Sequence, residues 1–175
     1  MNNLFVITGG PGTGKTSVIN ELRKRGYDVL DEAARTVHHS DKRFNGKNIK
    51  EVDMVDFQKA IFDFQKSQFE SIKGKKEPIF MDRGIGDSLA YYKHYNLDIP
   101  KEIFELSNSF KAAKVFCLNF LDIYRQDKLR KETKEEQEQI HYEIIEAYGD
   151  LGYDVVFVPK MSINERVDFI LSKIQ

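Results

Sequence analysis

Between an apolar run and a stretch of helical character the chain reads Gly9-Gly10-Pro11-Gly12-Thr13-Gly14-Lys15-Thr16, which satisfies G-x-x-x-x-G-K-[ST] at every defined position. No other feature restricts the fold as tightly. Wrapping backbone N–H groups around a polyphosphate takes φ values and close approaches that side chains obstruct, hence the spaced glycines. A helix leaving such a loop points its N-terminus at the anion. Lys15 brings a mobile positive charge to the β- and γ-phosphates, and the Thr16 hydroxyl suits Mg²⁺. The expected nucleotide-binding residues are Gly10, Pro11, Gly12, Thr13, Gly14, Lys15, Thr16 and Ser17. The context agrees, because LFVIT (Leu4–Thr8) reads as the entering strand and 17–25 (SVINELRKR) as the leaving helix.

The loop's strand–helix frame recurs along the chain. Apolar runs at 27–31 (YDVLD), 78–82 (PIFMD), 115–120 (VFCLNF) and 153–158 (YDVVFV) are nearly continuous, as in strands covered on both faces. Helical patterns at 15–25, 54–72, 87–95, 100–110, 134–148 and 163–174 separate them. Strands alternating with helices force right-handed crossovers, so the expected architecture is a three-layer α/β/α domain around five parallel strands. In such sheets ligands sit at the carboxyl ends of the strands. With 175 residues the chain is expected to form one domain.

Composition narrows the partners. A net charge of −1 gives no general attraction to nucleic acid or anionic lipid. One cysteine, Cys117, cannot form an internal disulfide, and no apolar stretch approaches the ~20 residues needed to cross a bilayer. With no basic leader at the N-terminus, a soluble cytoplasmic protein is expected.

The segments FVITGGPGTGKTSVINELRKRGYDVLDEAAR, FMDRGIGDSLAYY and RQDKLRKET together resemble P-loop NTPases of the kinase-like division. The nearest likeness is to the small AAA-type ATPase family that includes nicotinamide-riboside-kinase-like domains, and it runs from about 5 to 171. In those kinases an acid after the second strand faces the acceptor as base or orienter. Glu32 matches that position best, with Asp31 as the alternative, although either could simply cap a helix. Arg35, one turn on, could pair with the acid or hold an acidic acceptor. The resemblance makes Asp82 the Mg²⁺-associated carboxylate and Arg83 a contact to phosphate or acceptor, while Asp87 could do no more than open the next helix. It also implies an arginine-bearing lid at about 122–134, with Arg125 and Arg130 closing over the phosphates.

Other features read as structural. His38 and His39 are adjacent and on a helix would face apart, and His94 and His141 do not cluster with them, so zinc is not expected. Cys117 falls mid-strand and reads as a small core residue. Phe57, Ile61 and Phe64 are expected to pack a core, and the Lys42-Arg43, 73–76 and 131–139 charge runs to be solvated.

The residues and the resemblance favour a kinase moving the γ-phosphate of Mg-ATP to a small, nucleoside-like acceptor. A regulatory NTPase switch controlling partner or lipid binding is the alternative, and a ring-forming motor fits a chain this short poorly. ATP is the default nucleotide, because no Asn-Lys-x-Asp guanine-reading motif occurs.

Overall fold

The structure, a computed structural model, describes residues 3–120 and 133–174. Five strands, β1 (Leu4–Thr8), β2 (Asp28–Leu30), β3 (Ile79–Asp82), β4 (Lys114–Leu118) and β5 (Val155–Val158), form a parallel sheet in the order 2-3-1-4-5. Around it lie α1 (Lys15–Lys24), α2 (Ala33–Ser40), α3 (Met54–Ser71), α4 (Ile85–His94), α5 (Glu102–Ser109), α6 (Lys134–Asp150) and α7 (Ile163–Ser172). The expected three-layer parallel α/β fold is therefore present.

The pleat of each strand divides the core in two. Leu4 and Val6 face the side where Ile79, Met81 and Val115 meet α3, α4, α5 and α6. Phe5 and Ile7 face the opposite side, where Phe80, Phe116, Leu118 and Val158 meet α1 and α7. A third apolar group, Ala33, Val37, Phe44, Val52, Phe57 and Ile61, joins α2 to the start of α3, with Phe64 packed against it. This is the packing role expected for the 57/61/64 stripe.

Local chemistry sets the helix ends. Gly26 adopts φ 90° just past α1, a backbone position open to glycine without strain. Asp53 caps α3 by accepting from the Asp56 amide at 3.0 Å. Thr133 with Glu136, and Ser162 with Glu165, close reciprocal capping boxes on α6 and α7.

Three expectations need correction. The apolar runs 27–31 and 153–158 form the sheet's edges rather than central strands; Leu30 and Val155 pack on one face and Val29 and Val156 on the other, but Phe157 is 48% exposed. Helix α2 lies outside the helical patterns of the sequence, since only Ala33 and Val37 of its eight residues are buried. Helix α4 starts at Ile85 rather than at 87, which places Asp87 inside its first turn.

The order 2-3-1-4-5 places the functional segments. β1 is central, so the phosphate loop leaves the middle of the sheet. The register sets Ile7 beside Asp82 on one flank and Thr8 beside Cys117 on the other.

Candidate functional site

The phosphate loop is held from several directions. Gly9 adopts φ 133°, and a Cβ there would lie 2.8 Å from the Leu118 carbonyl oxygen, so only glycine can start this turn. Lys15, nearly buried, folds back over the loop. Its Nζ donates to the carbonyls of Gly9 and Gly10 at 2.8 Å each and reaches Thr13 Oγ1 at 3.5 Å. Burial, with Arg83 nearby, pulls the Lys15 pKa down to about 7, against the pull of Asp82, Glu32 and Asp87. The ammonium is thus short of compensating charge, which favours an arriving anion.

From behind, Arg166 of α7 donates from Nη1 to the Thr13 carbonyl at 2.7 Å and from Nη2 to the Asn119 carbonyl at 3.2 Å. No peptide among the described residues is cis, so C=O and N–H of each unit point opposite ways. Turning the Thr13 carbonyl toward α7 therefore aims the Gly14 N–H away from α7. Arg166 is 1% exposed and its Nε has no partner. Burial lowers its pKa from the usual arginine value.

Beside the loop, β3 delivers Asp82 and Arg83. Arg83 takes φ 64°, a left-handed conformation uncommon for a side chain of this size and typical of residues held in place at functional sites. Its amide donates to the Ile7 carbonyl at 3.1 Å. Its guanidinium pairs with Glu32 at 3.2 Å and with Asp87 at 2.8 Å, and lies 5.7 Å from the centre of the Tyr91 ring. Burial opposes its charge, but Tyr91, Asp87, Glu32 and Asp82 raise its pKa well above the ordinary value.

Asp87 is the anchor of this arrangement. One carboxylate oxygen accepts from Thr8 Oγ1 and Arg83 Nη1, both at 2.8 Å. The other accepts from the Gly84 amide at 3.0 Å and the Tyr148 hydroxyl at 2.8 Å. Gly86 makes that last contact feasible, because a Cβ there would meet the Tyr148 ring at 2.6 Å. One carboxylate thereby ties β1, β3, α4 and α6 together beneath the site.

Glu32 stands at the N-cap of α2, without a side-chain capping bond. Burial disfavours its charge, yet Arg83, Lys15 and Arg35 outweigh burial and hold its pKa below the ordinary value. Arg35 approaches it at 3.7 Å. Asp31 instead turns outward to Arg23 at 2.5 Å. Asp82 behaves oppositely to Glu32: burial and the Glu32 charge push it up to about 6 against Lys15 and Arg83.

An open cleft of about 420 Å³ runs alongside, lined by Thr16, Ile19 and Asn20 of α1, by Asp31, Glu32 and Arg35, and by Asp82. Thr36 and His39 complete the α2 wall. The structure thus brings Lys15, Thr16, Glu32, Asp82 and Arg83 together. Arg125 and Arg130, with most of the 122–134 lid segment, lie outside the described residues.

Asp82 Oδ1 is buried with no hydrogen-bond partner, and the exposed Thr16 lines the same cleft. A carboxylate and a hydroxyl oxygen beside a phosphate loop fit Mg²⁺, which binds one or two protein oxygens and completes its shell with water and phosphate.

A family model described as an AAA domain, AAA_28, matches residues 4–166. The chain belongs to that family. It is a P-loop, kinase-like nucleotide-binding domain. No curated protein matches the AAA_28 chain. Among solved structures it is similar to NadR in complex with NAD and AMP-PNP, with a TM-score of 0.68 at 16% identity over 98% of this chain and 49% of that one. The chain therefore spans about half the length of that NadR. It is also similar to deoxyadenosine kinase from M. mycoides with bound dATP, with a TM-score of 0.63 at 18% identity over 97% and 98% of the two chains. Thymidylate kinase from Candida albicans gives 0.66 at 15% identity over 99% and 91%. At these identities the likeness is one of fold.

Sequence reasoning gave no site role to Arg166, His141, Tyr148 and Thr8; the first two hold the loop of the AAA_28 site and the last two hold Asp87. Arg166 shares the apolar stripe of α7 with Val167 and Ile170, and an arginine at that helical spacing was the available signal. Among the described residues no helix is long and apolar enough to cross a membrane.

Proposed function

We propose that this chain is an ATP-dependent small-molecule kinase. One observation supports the reading above the others: Glu32, paired with Arg83 at 3.2 Å, lines the same cleft as Asp82 and Thr16, next to the phosphate loop. A nucleotide with its polyphosphate along residues 10–17 would present its γ-phosphate toward that cleft. An acceptor hydroxyl bound there attacks phosphorus; the new P–O bond forms as the bond to the β-phosphate oxygen breaks, and ADP leaves. The hydroxyl proton passes to Glu32, which its cationic neighbours keep ionised. Positioning contributes more than basicity in such reactions.

Arg83 holds Glu32 in place and adds positive charge where negative charge develops. Lys15 exchanges its carbonyl partners for phosphate oxygens. Thr16 and Asp82 are the residues that would hold Mg²⁺, which offsets phosphate charge when bound. Arg125 and Arg130 are assigned to closure over the phosphates. The acceptor class is a small hydroxylated, nucleoside-like metabolite.

The test is ADP release from Mg-ATP with and without a panel of nucleosides and pyridine ribosides. Stimulation by one acceptor, with its phosphorylated product, names the substrate. Replacing Glu32 with Gln then lowers transfer by about 10²–10⁴-fold while Mg-ATP affinity stays within about threefold. An unchanged transfer rate in Glu32→Gln removes the base assignment. Slow release indifferent to every acceptor moves the reading to a regulatory NTPase.

A further inference from the structure

Helix α6 lays His141 against the mouth of the phosphate loop. Its Nδ1 lies 3.0 Å from the Gly10 amide nitrogen. An amide only donates, so Nδ1 is the unprotonated nitrogen, and the ring proton resides on Nε2, 4.0 Å from Cys117 Sγ. The imidazole is 6% exposed and tilts against Phe120, with ring centres 4.9 Å apart. A Cβ on Gly10 would come within 2.9 Å of both His141 Cβ and the Gln137 carbonyl, so the close approach depends on glycine.

This contact sets the orientation of the loop's first peptide. The Gly9–Gly10 unit is trans, so anchoring its N–H on α6 turns the Gly9 carbonyl the other way. There it meets Lys15 Nζ at 2.8 Å. His141 thereby fixes both the peptide and the resting place of the lysine. We propose that His141 is a positioning residue for nucleotide binding: as neutral imidazole it holds the first peptide of the loop in its binding orientation, and on protonation it releases that peptide and weakens nucleotide affinity.

An imidazolium cannot accept from Gly10, and it would set a second cation near Lys15. Among the described residues the titratable groups facing the ring are Lys15 from the loop, Cys117 from β4 and Tyr142 on α6 itself, and none of these is a carboxylate that could stabilise the charge. Burial and Lys15 both hold His141 below the ordinary histidine pKa. The neutral form is therefore the working form at neutral pH, and the loss comes on the acid side.

The experiment is titration calorimetry of Mg-ATP binding from about pH 8 to about pH 5, the range in which histidine charges, on wild type, His141→Asn and His141→Leu. Asparagine can offer Oδ1 near the Nδ1 position and does not titrate; leucine leaves a buried amide without an acceptor. His141→Leu is expected to bind about tenfold more weakly near pH 8. His141→Asn is expected within about threefold of wild type there, and to lose less affinity than wild type toward pH 5. Protonation of the nucleotide itself is common to all three, so the difference between profiles is the readout. Leucine binding like wild type, asparagine as weak as leucine, or parallel wild-type and asparagine profiles each overturns the proposal. If circular dichroism shows His141→Leu unfolded, the asparagine comparison decides alone. Absence of Mg-ATP binding by wild type would overturn the nucleotide-binding premise itself.

Discussion

The phosphate loop and the cleft beside it share Thr16 but are built on opposite plans. In the loop, the Gly10 amide, the Thr13 carbonyl and the Lys15 ammonium are each fixed by a partner from elsewhere in the fold or across the loop. In the cleft, Asp31 turns outward to Arg23, Arg35 meets Glu32 at 3.7 Å, and Asn20 and His39 stand exposed. An anion-binding turn gains from dipoles fixed before the ligand arrives, since reorganisation at the moment of reaction costs rate. A wall of exposed polar side chains instead leaves specificity to be set by whatever they close upon. Glu32 is the exception in the cleft, because Arg83, itself paired with the buried Asp87, holds it at 3.2 Å.

The comparison breaks most severely at Asp87. Its carboxylate accepts from Thr8, Arg83, Gly84 and Tyr148, so Asp87→Ala leaves a buried guanidinium with one partner fewer and two hydroxyls without an acceptor. Breaking a buried ion pair by removing one member costs about 3–5 kcal/mol. Urea unfolding should report a loss of that size; a loss under about 1 kcal/mol would mean the anchor is not structural. Next in size is Lys15→Met. It removes the one ammonium on the loop among the described residues, and truncating such a charge partner costs about 2–5 kcal/mol in binding. Mg-ATP affinity should fall about 30-fold or more with the fold intact, and calorimetry would contradict this if affinity were kept.

The two regions also differ in how far the sequence reveals them. The loop is contiguous, and Glu32, Asp82 and Arg83 each lie at or just past the end of a short apolar strand, so local pattern is enough to locate them. The residues that hold the loop are not local. His141 reaches Gly10 across 131 positions and Arg166 reaches Thr13 across 153. His141 was set aside because metal sites are found by clustering, whereas its partner is a backbone amide that no motif encodes. Helix α2, which forms the cleft's wall, buries two residues of eight and so has almost no apolar period to read. The edge strands misled for a related reason: an apolar run such as VVFV has the same composition whether or not another strand covers it. Phe157 shows the difference only once the sheet ends at β5.

The smallest expected effect sharpens the comparison furthest. Arg35 is 59% exposed on its side chain, and its approach to Glu32 at 3.7 Å is long for an ion pair. Pairs of this kind contribute about 0–1 kcal/mol, so Arg35→Ala should leave thermal and urea stability almost unchanged. Mg-ATP affinity should also hold, since Lys15, Arg83 and the loop backbone remain. The acceptor side should respond: removing a cation from the cleft wall should raise the acceptor KM several-fold with a smaller change in kcat. Steady-state kinetics with the acceptor found in the ADP-release screen would measure that split. A fall in kcat with KM unchanged would instead place Arg35 with Glu32 and Arg83 in holding the transition state. A change in nucleotide affinity alone would mean that the cleft and the loop are one unit rather than two.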